Sequence, residues 1–186
     1  GVGLAPSAAQ FAMTMGQVGE VVLMLLLWPS LRYLGMRWTI LLGILAWPVR
    51  YAIFAVGHPA WLVIAAQTLH GICYSFFFVG GMIAVERMSP KDVRASAQAL
   101  LVFATNGVGM LVGHIVSGKV HGYFQIADGV YNWTGVFSVP IAVTVLAAIA
   151  FGLLFSEKGF RERAREIDSL GQLAQALADD VPESVP

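Results

Sequence analysis

Of the 186 residues, 58% are hydrophobic and only 12% are charged, and the mean hydropathy is +0.74. A soluble domain does not carry so apolar a composition, so the chain is read as an all-α integral membrane protein. The 11 Lys and Arg match the 11 Asp and Glu, but the zero net charge conceals an uneven distribution along the chain.

A bilayer core of about 30 Å needs roughly 20 mainly apolar residues per helix. Five stretches reach that length: 11–31, 38–56, 60–85, 95–118 and 133–155. The first contains "MTMGQVGEVVLMLLLW", with one carboxylate in an apolar run. Thr14, Gln17 and Glu20 recur at intervals of three and form a polar stripe on one side of the helix. A charge at this depth costs several kcal/mol unless it is paired, protonated or wet, which makes Glu20 a functional candidate. The connection "LRYLGMRW" follows, a tight turn at Gly35 with Arg32 and Arg37 beside it.

The second span carries Arg50, which can pair with Glu20 or face the same interior cavity. In the third, Gln67, His70, Gly71 and Tyr74 recur at helical spacing, followed by Ser75 and the run Phe76 to Phe78. Gly80 and Gly81 are expected to loosen this helix, and Pro29, Pro48 and Pro140 to interrupt three others, as alternating access requires. The loop "MSPKDVRAS" offers Ser89 or Asp92 as a cap for the fourth span. That span brings Gln98, Thr105 and Asn106, then Gly109, Gly113 and Ser117, a ridge of small residues suited to close helix packing. The connection at 119–132 is long and aromatic-rich, and the triplet Asn132, Trp133, Thr134 at its end matches a glycosylation sequon too close to the membrane to be used. Residues 1–156 thus form the membrane bundle and 157–186 a tail. In the tail Ile167, Leu170, Leu173 and Leu177 predict a short amphipathic helix before a disordered acidic end.

Lys and Arg cluster after the first, third and fifth spans, and only Lys119 lies in the other two connections. The positive-inside rule then places the C-terminus in the cytoplasm and the N-terminus outside. Five spans with an external start are expected to be the C-terminal portion of a longer chain, whose missing N-terminal portion completes the bundle. The basic "RERAR" is read as a topological anchor and not as a nucleic-acid patch. No phosphate-cradling loop, paired metal-ligand motif or nucleophile with its base can be assembled, so neither an enzyme, a metal nor a cofactor is expected. The lone Cys73 provides no disulfide framework.

Three pieces of sequence now stand out together: "MTMGQVGEVVLM", then "LRYLGMRW" with "WPVRYAIFAVG", and "VRASAQALLVFATNGVGMLVGHIVSG". They resemble the nucleoside:proton symporter family of the major facilitator superfamily, from about Ala5 to Phe155. The resemblance implies a major facilitator helical bundle, with these spans as helices eight to twelve of twelve in a bacterial inner membrane. It implies nucleoside uptake by proton symport, with Gln17 and Glu20 contacting the nucleoside. Better-known members read Tyr-Gly-x-x-Phe-Asp-Phe-Phe in the third span, where this chain has "HGICYSFF". His70 and Tyr74 therefore join the substrate-binding set, and Ser75 replaces the acid that is the family's candidate proton-coupling group. Proton coupling then falls to Glu20 and His70, with Arg50, Thr14 and Asn106 as further cavity residues. Two alternatives stay open: a major facilitator transporter for a sugar or other metabolite without proton coupling, and a non-transporting membrane scaffold or sensor.

Overall fold

A computed structural model describes the backbone of residues 6–179 and the side chains of residues 14, 16, 17 and 19–177. Helix α1 runs Pro6–Tyr33, α2 Gly35–Val56, α3 Ala60–Arg87, α4 Arg94–Tyr123, α5 Trp133–Leu154 and α6 Glu157–Asp179. Helices α2 to α5 are each long and apolar enough to cross a membrane. Such spans are helical because the bilayer offers no water to satisfy a free backbone N–H or C=O. The same constraint carries α1, α2 and α5 straight through Pro29, Pro48 and Pro140. Each proline removes one hydrogen bond, whereas interrupting the helix would expose several.

The irregular turns lie elsewhere than the glycine pair suggested. Helix α3 is interrupted at 66–68 and adopts a π-helical turn over Cys73–Val79, and Gly80 begins a regular segment after it. Helix α4 has a matching π-helical turn over Phe103–Gly109. The turn in α3 coincides with the closest approach of α2, where a Cβ on Gly43 would fall 2.6 Å from the Phe77 backbone nitrogen. The absence of a side chain at Gly43 is what lets these backbones meet.

Met36, Ile40 and Ile44 of α2 form the core with Ala84, Ala148 and Phe160, at the end of the bundle that carries Arg32, Arg37 and Arg87. Helix α4 contributes no buried residue, and a Cβ at Gly113 would meet nothing within 4 Å. At Gly113 the small-residue ridge therefore meets open space and not a closely packed neighbouring helix. Neither Ser89 nor Asp92 caps α4, since the Ser89 hydroxyl instead donates to the Val85 carbonyl at 2.7 Å. This local bond continues the preceding helix, a competition that serine commonly wins.

Between α4 and α5 the chain forms a two-stranded antiparallel hairpin, β1 Gln125–Ala127 and β2 Val130–Tyr131, turning at Gly129 with φ of 72°. Asn132 caps α5 by accepting the Gly135 N–H at 3.1 Å. Helix α6 is 23 residues long, well beyond the short helix expected, and the acidic end at 180–186 lies outside the described residues. Phe160 explains its start, being buried against Phe155 with ring centroids 5.6 Å apart.

The turn between α1 and α2 has a role beyond anchoring. Glu157 accepts the backbone N–H of Arg37 at 2.8 Å and of Met36 at 3.4 Å, so the first acid of α6 caps α2. Arg161 donates to the same carboxylate at 2.8 Å, and Arg37 donates to the Gly152 carbonyl. Burial pushes the Glu157 carboxyl up, but the Arg37 N–H, the Arg161 side chain and the Met36 N–H outweigh it and hold it below its ordinary value. Gly35 is required twice: its φ is +82°, and a Cβ would fall 2.7 Å from a Glu157 oxygen.

Candidate functional site

The seam between α1 and α3 is built from glycines. A Cβ on Gly16 would lie 3.3 Å from the Gln67 carbonyl oxygen, and one on Gly19 would lie 3.4 Å from Thr68. A Cβ on Gly71 would fall 2.7 Å from the Glu20 Cα. Glycines at these positions let the helix carrying Glu20 rest directly on the helix carrying His70. Glu20 is half-buried, Gln17 and Thr14 are exposed, and no salt bridge to Glu20 occurs among the described residues.

Arg50 does not pair with Glu20. Its guanidinium donates to Gln67 Oε1 at 2.7 Å and meets His70 Nδ1 at 3.2 Å, and it lies 5.0 Å from the centroid of the Phe54 ring. Its Nε is buried without a partner among the described residues. Trp47 stands edge-on to the His70 imidazole, with centroids 6.4 Å apart at 90°. Arginine thus finds two neutral acceptors and an aromatic face in place of a carboxylate.

One turn beyond His70, Tyr74 is 39% exposed and lies beside Phe78, with centroids 5.8 Å apart. Both line a cleft of about 370 Å³ between the π-helical turns of α3 and α4, and Thr105 and Asn106 line it from the other side. Ser75 is fully buried and its hydroxyl has no partner among the described residues. The position at which the resemblance places an acid is therefore turned inward here.

The structure brings Glu20 and His70 together across the α1–α3 seam, joins Arg50 to His70, and places Tyr74 with Asn106 in the adjoining cleft. Gln67 was legible as part of the polar face of α3, but not as the partner of Arg50. Phe54 and Trp47 carried no signal in the sequence, since aromatic residues are common throughout these spans.

The family profile described as Nucleoside H+ symporter matches residues 2–159. Nucleoside permease NupG of Escherichia coli K12 is 31% identical over 157 residues, which cover 82% of this chain and 37% of the permease. The xanthosine permease of the same organism is 32% identical over 143 residues, covering 75% and 34% of the two chains. A facilitated trehalose transporter of Polypedilum vanderplanki is 27% identical over 161 residues, covering 83% and 29%. A crystal structure of a mutant of nucleoside transporter NupG superposes with a TM-score of 0.74 at 30% identity, covering 80% of this chain and 38% of that one. The chain thus spans about 37% of the length of the NupG permease.

Proposed function

The chain belongs to the nucleoside H+ symporter family, and we propose that it forms helices eight to twelve of a twelve-helix transporter that takes up nucleosides with protons. Its fold is a membrane-spanning helical bundle of the major facilitator type. In this reading the cationic ends of the helices face the cytoplasm of a bacterial inner membrane, and α1 and α3 line the central cavity. Gln17 and Glu20 hydrogen-bond the ribose or base, Tyr74 stacks on or bonds to the base, His70 completes the polar wall, and Thr14 and Asn106 extend it. Proton coupling rests on Glu20, with His70 as the second titratable group at that depth.

The observation that supports this assignment most is the partnering of Arg50. Because Gln67 and His70 take the guanidinium, Glu20 stands at mid-depth without a salt bridge among the described residues. A carboxylate locked to arginine would stay charged, whereas one lacking such a partner can bind a proton and release it.

The test is accumulation of labelled uridine by cells or proteoliposomes containing the full-length protein, with and without a proton uncoupler. Accumulation that collapses with the uncoupler is the expected result. Uncoupler-insensitive uptake removes the symport assignment, and absence of uptake for every nucleoside removes the substrate. Buried Ser75 favours a second reading, facilitated movement of a sugar without a proton, for which labelled trehalose is the parallel substrate.

A further inference from the structure

Arg50 and His70 meet through atoms whose roles are fixed by chemistry. A guanidinium has only donors, so the His70 Nδ1 that lies 3.2 Å from it must present a lone pair. The ring proton is then on Nε2, and the imidazole is neutral. The second amino nitrogen of Arg50 is tied to Gln67 at 2.7 Å, one turn before His70 on the same helix. Phe54 lies against the guanidinium from α2, and Trp47 abuts the imidazole edge-on. A planar fork held at both prongs cannot rotate to release one of them alone.

Protonating His70 at Nδ1 would place an N–H and a second positive charge against that fork, with no acceptor on arginine to receive it. The other titratable groups at this cluster are Glu20, which faces His70 from α1, and Tyr51 of α2 and Cys73 of α3, which lie near Arg50. The one carboxylate among them, Glu20, makes no salt bridge to His70 among the described residues.

We infer that Arg50 is a positioning residue that locks His70 as the neutral Nε2–H tautomer, so that of the two candidate proton carriers only Glu20 exchanges protons. His70 becomes a fixed donor, and the nucleoside group it serves is an acceptor, a base carbonyl, a ring nitrogen or a ribose oxygen. The assignment to Glu20 and the nucleoside rests on the transport reading above; the tautomer lock does not.

The two are separated by measuring them differently. Nitrogen-15 spectra of the purified full-length protein labelled at histidine report tautomer and charge directly, and subtracting the spectrum of His70→Gln assigns the His70 signal. The wild type is expected to show a neutral Nε2–H imidazole from about pH 8 to about pH 5. Arg50→Met is expected to release it, so that the imidazole takes up a proton as the pH falls across that range. Arg50→Lys, which keeps the charge but has one nitrogen for two acceptors, serves if the methionine variant does not fold, and is expected to mix the two tautomers. A wild-type His70 that titrates in that range, one that carries its proton on Nδ1, or variant spectra identical to wild type would each overturn the lock. In uptake assays Arg50→Met should add a second inflection to the pH profile, which His70→Gln in the same protein removes. An unchanged profile overturns the role in proton traffic. Failure of all nucleoside uptake with the expected spectra would instead sink the transport reading and leave the lock standing.

Discussion

Helix α2 carries two inward-reaching arginines, thirteen residues apart, and they solve the same problem in opposite ways. Near the cationic end Arg37 bonds a backbone carbonyl while its own N–H is held by Glu157, whose carboxylate also takes Arg161. At mid-depth Arg50 takes no carboxylate and is held by Gln67, His70 and the Phe54 ring. The difference tells where charge is spent on structure and where it is kept available. An acid bound to three donors serves as a clamp, whereas Glu20, which has no salt bridge among the described residues, is the acid proposed to exchange a proton.

Glu20→Gln breaks the comparison hardest. It keeps the hydrogen-bonding shape and removes the proton site, so uncoupler-sensitive uridine accumulation should vanish while exchange persists. Loss of a charged hydrogen bond of about 1.5–3 kcal/mol would also weaken nucleoside affinity roughly 10- to 100-fold, readable by calorimetry. Preserved accumulation would move the proton elsewhere.

Substitutions at the seams come next. Gly71→Val should push α1 off α3, because the added Cβ falls 2.7 Å from the Glu20 backbone, which cannot yield as a side-chain tip can. Overpacking of this kind costs about 1–3 kcal/mol, and thermal unfolding in detergent should fall by several degrees. An unchanged transition with normal ligand binding would show that α1 is free to shift.

The clamp is the milder case and has its own pH signature. Glu157→Gln should lower stability by about 0.5–2 kcal/mol at neutral pH, as for loss of a helix cap, with the ion-pair share reduced by salt. The Glu157 carboxyl is held below its ordinary value, so its contribution is fully present above about pH 4.3. It is lost as pH falls through the lower folded value. The gap in melting temperature between wild type and variant should therefore be constant from pH 7 to about pH 5 and close below that. A gap that closed on raising the pH would contradict the clamp.

Asn132→Ala, at the opposite end, should cost about 1 kcal/mol through loss of the α5 cap, and Asn132→Ser nearly nothing, by the same thermal assay.

Much of this was legible beforehand, because hydrophobic length and the cost of a mid-membrane charge are local properties. The spans, and the stripe of Thr14, Gln17 and Glu20, follow from spacing along one helix. So does the face of Gln67, His70 and Tyr74. The cap on α2 was not legible, since Glu157 is 120 residues from Arg37 and sits among cations that read as membrane anchors. The prolines misled for a related reason: their local preference to break a helix was overridden by a solvent that penalises every exposed backbone group. The π-helical turns in α3 and α4 likewise have no glycine or proline at their start to announce them.

The sequence by itself determined that the chain crosses a membrane as several helices and that Glu20, Arg50 and His70 lie at similar depth, because depth is set by counting residues along an axis. Only the tertiary structure decided that Arg50 belongs to His70 and Gln67, leaving Glu20 without a salt bridge among the described residues. Pairing depends on the rotation of each helix about that axis. That rotation is set by where Gly43 and Gly71 let backbones touch, a contact between helices that spacing within one helix cannot specify.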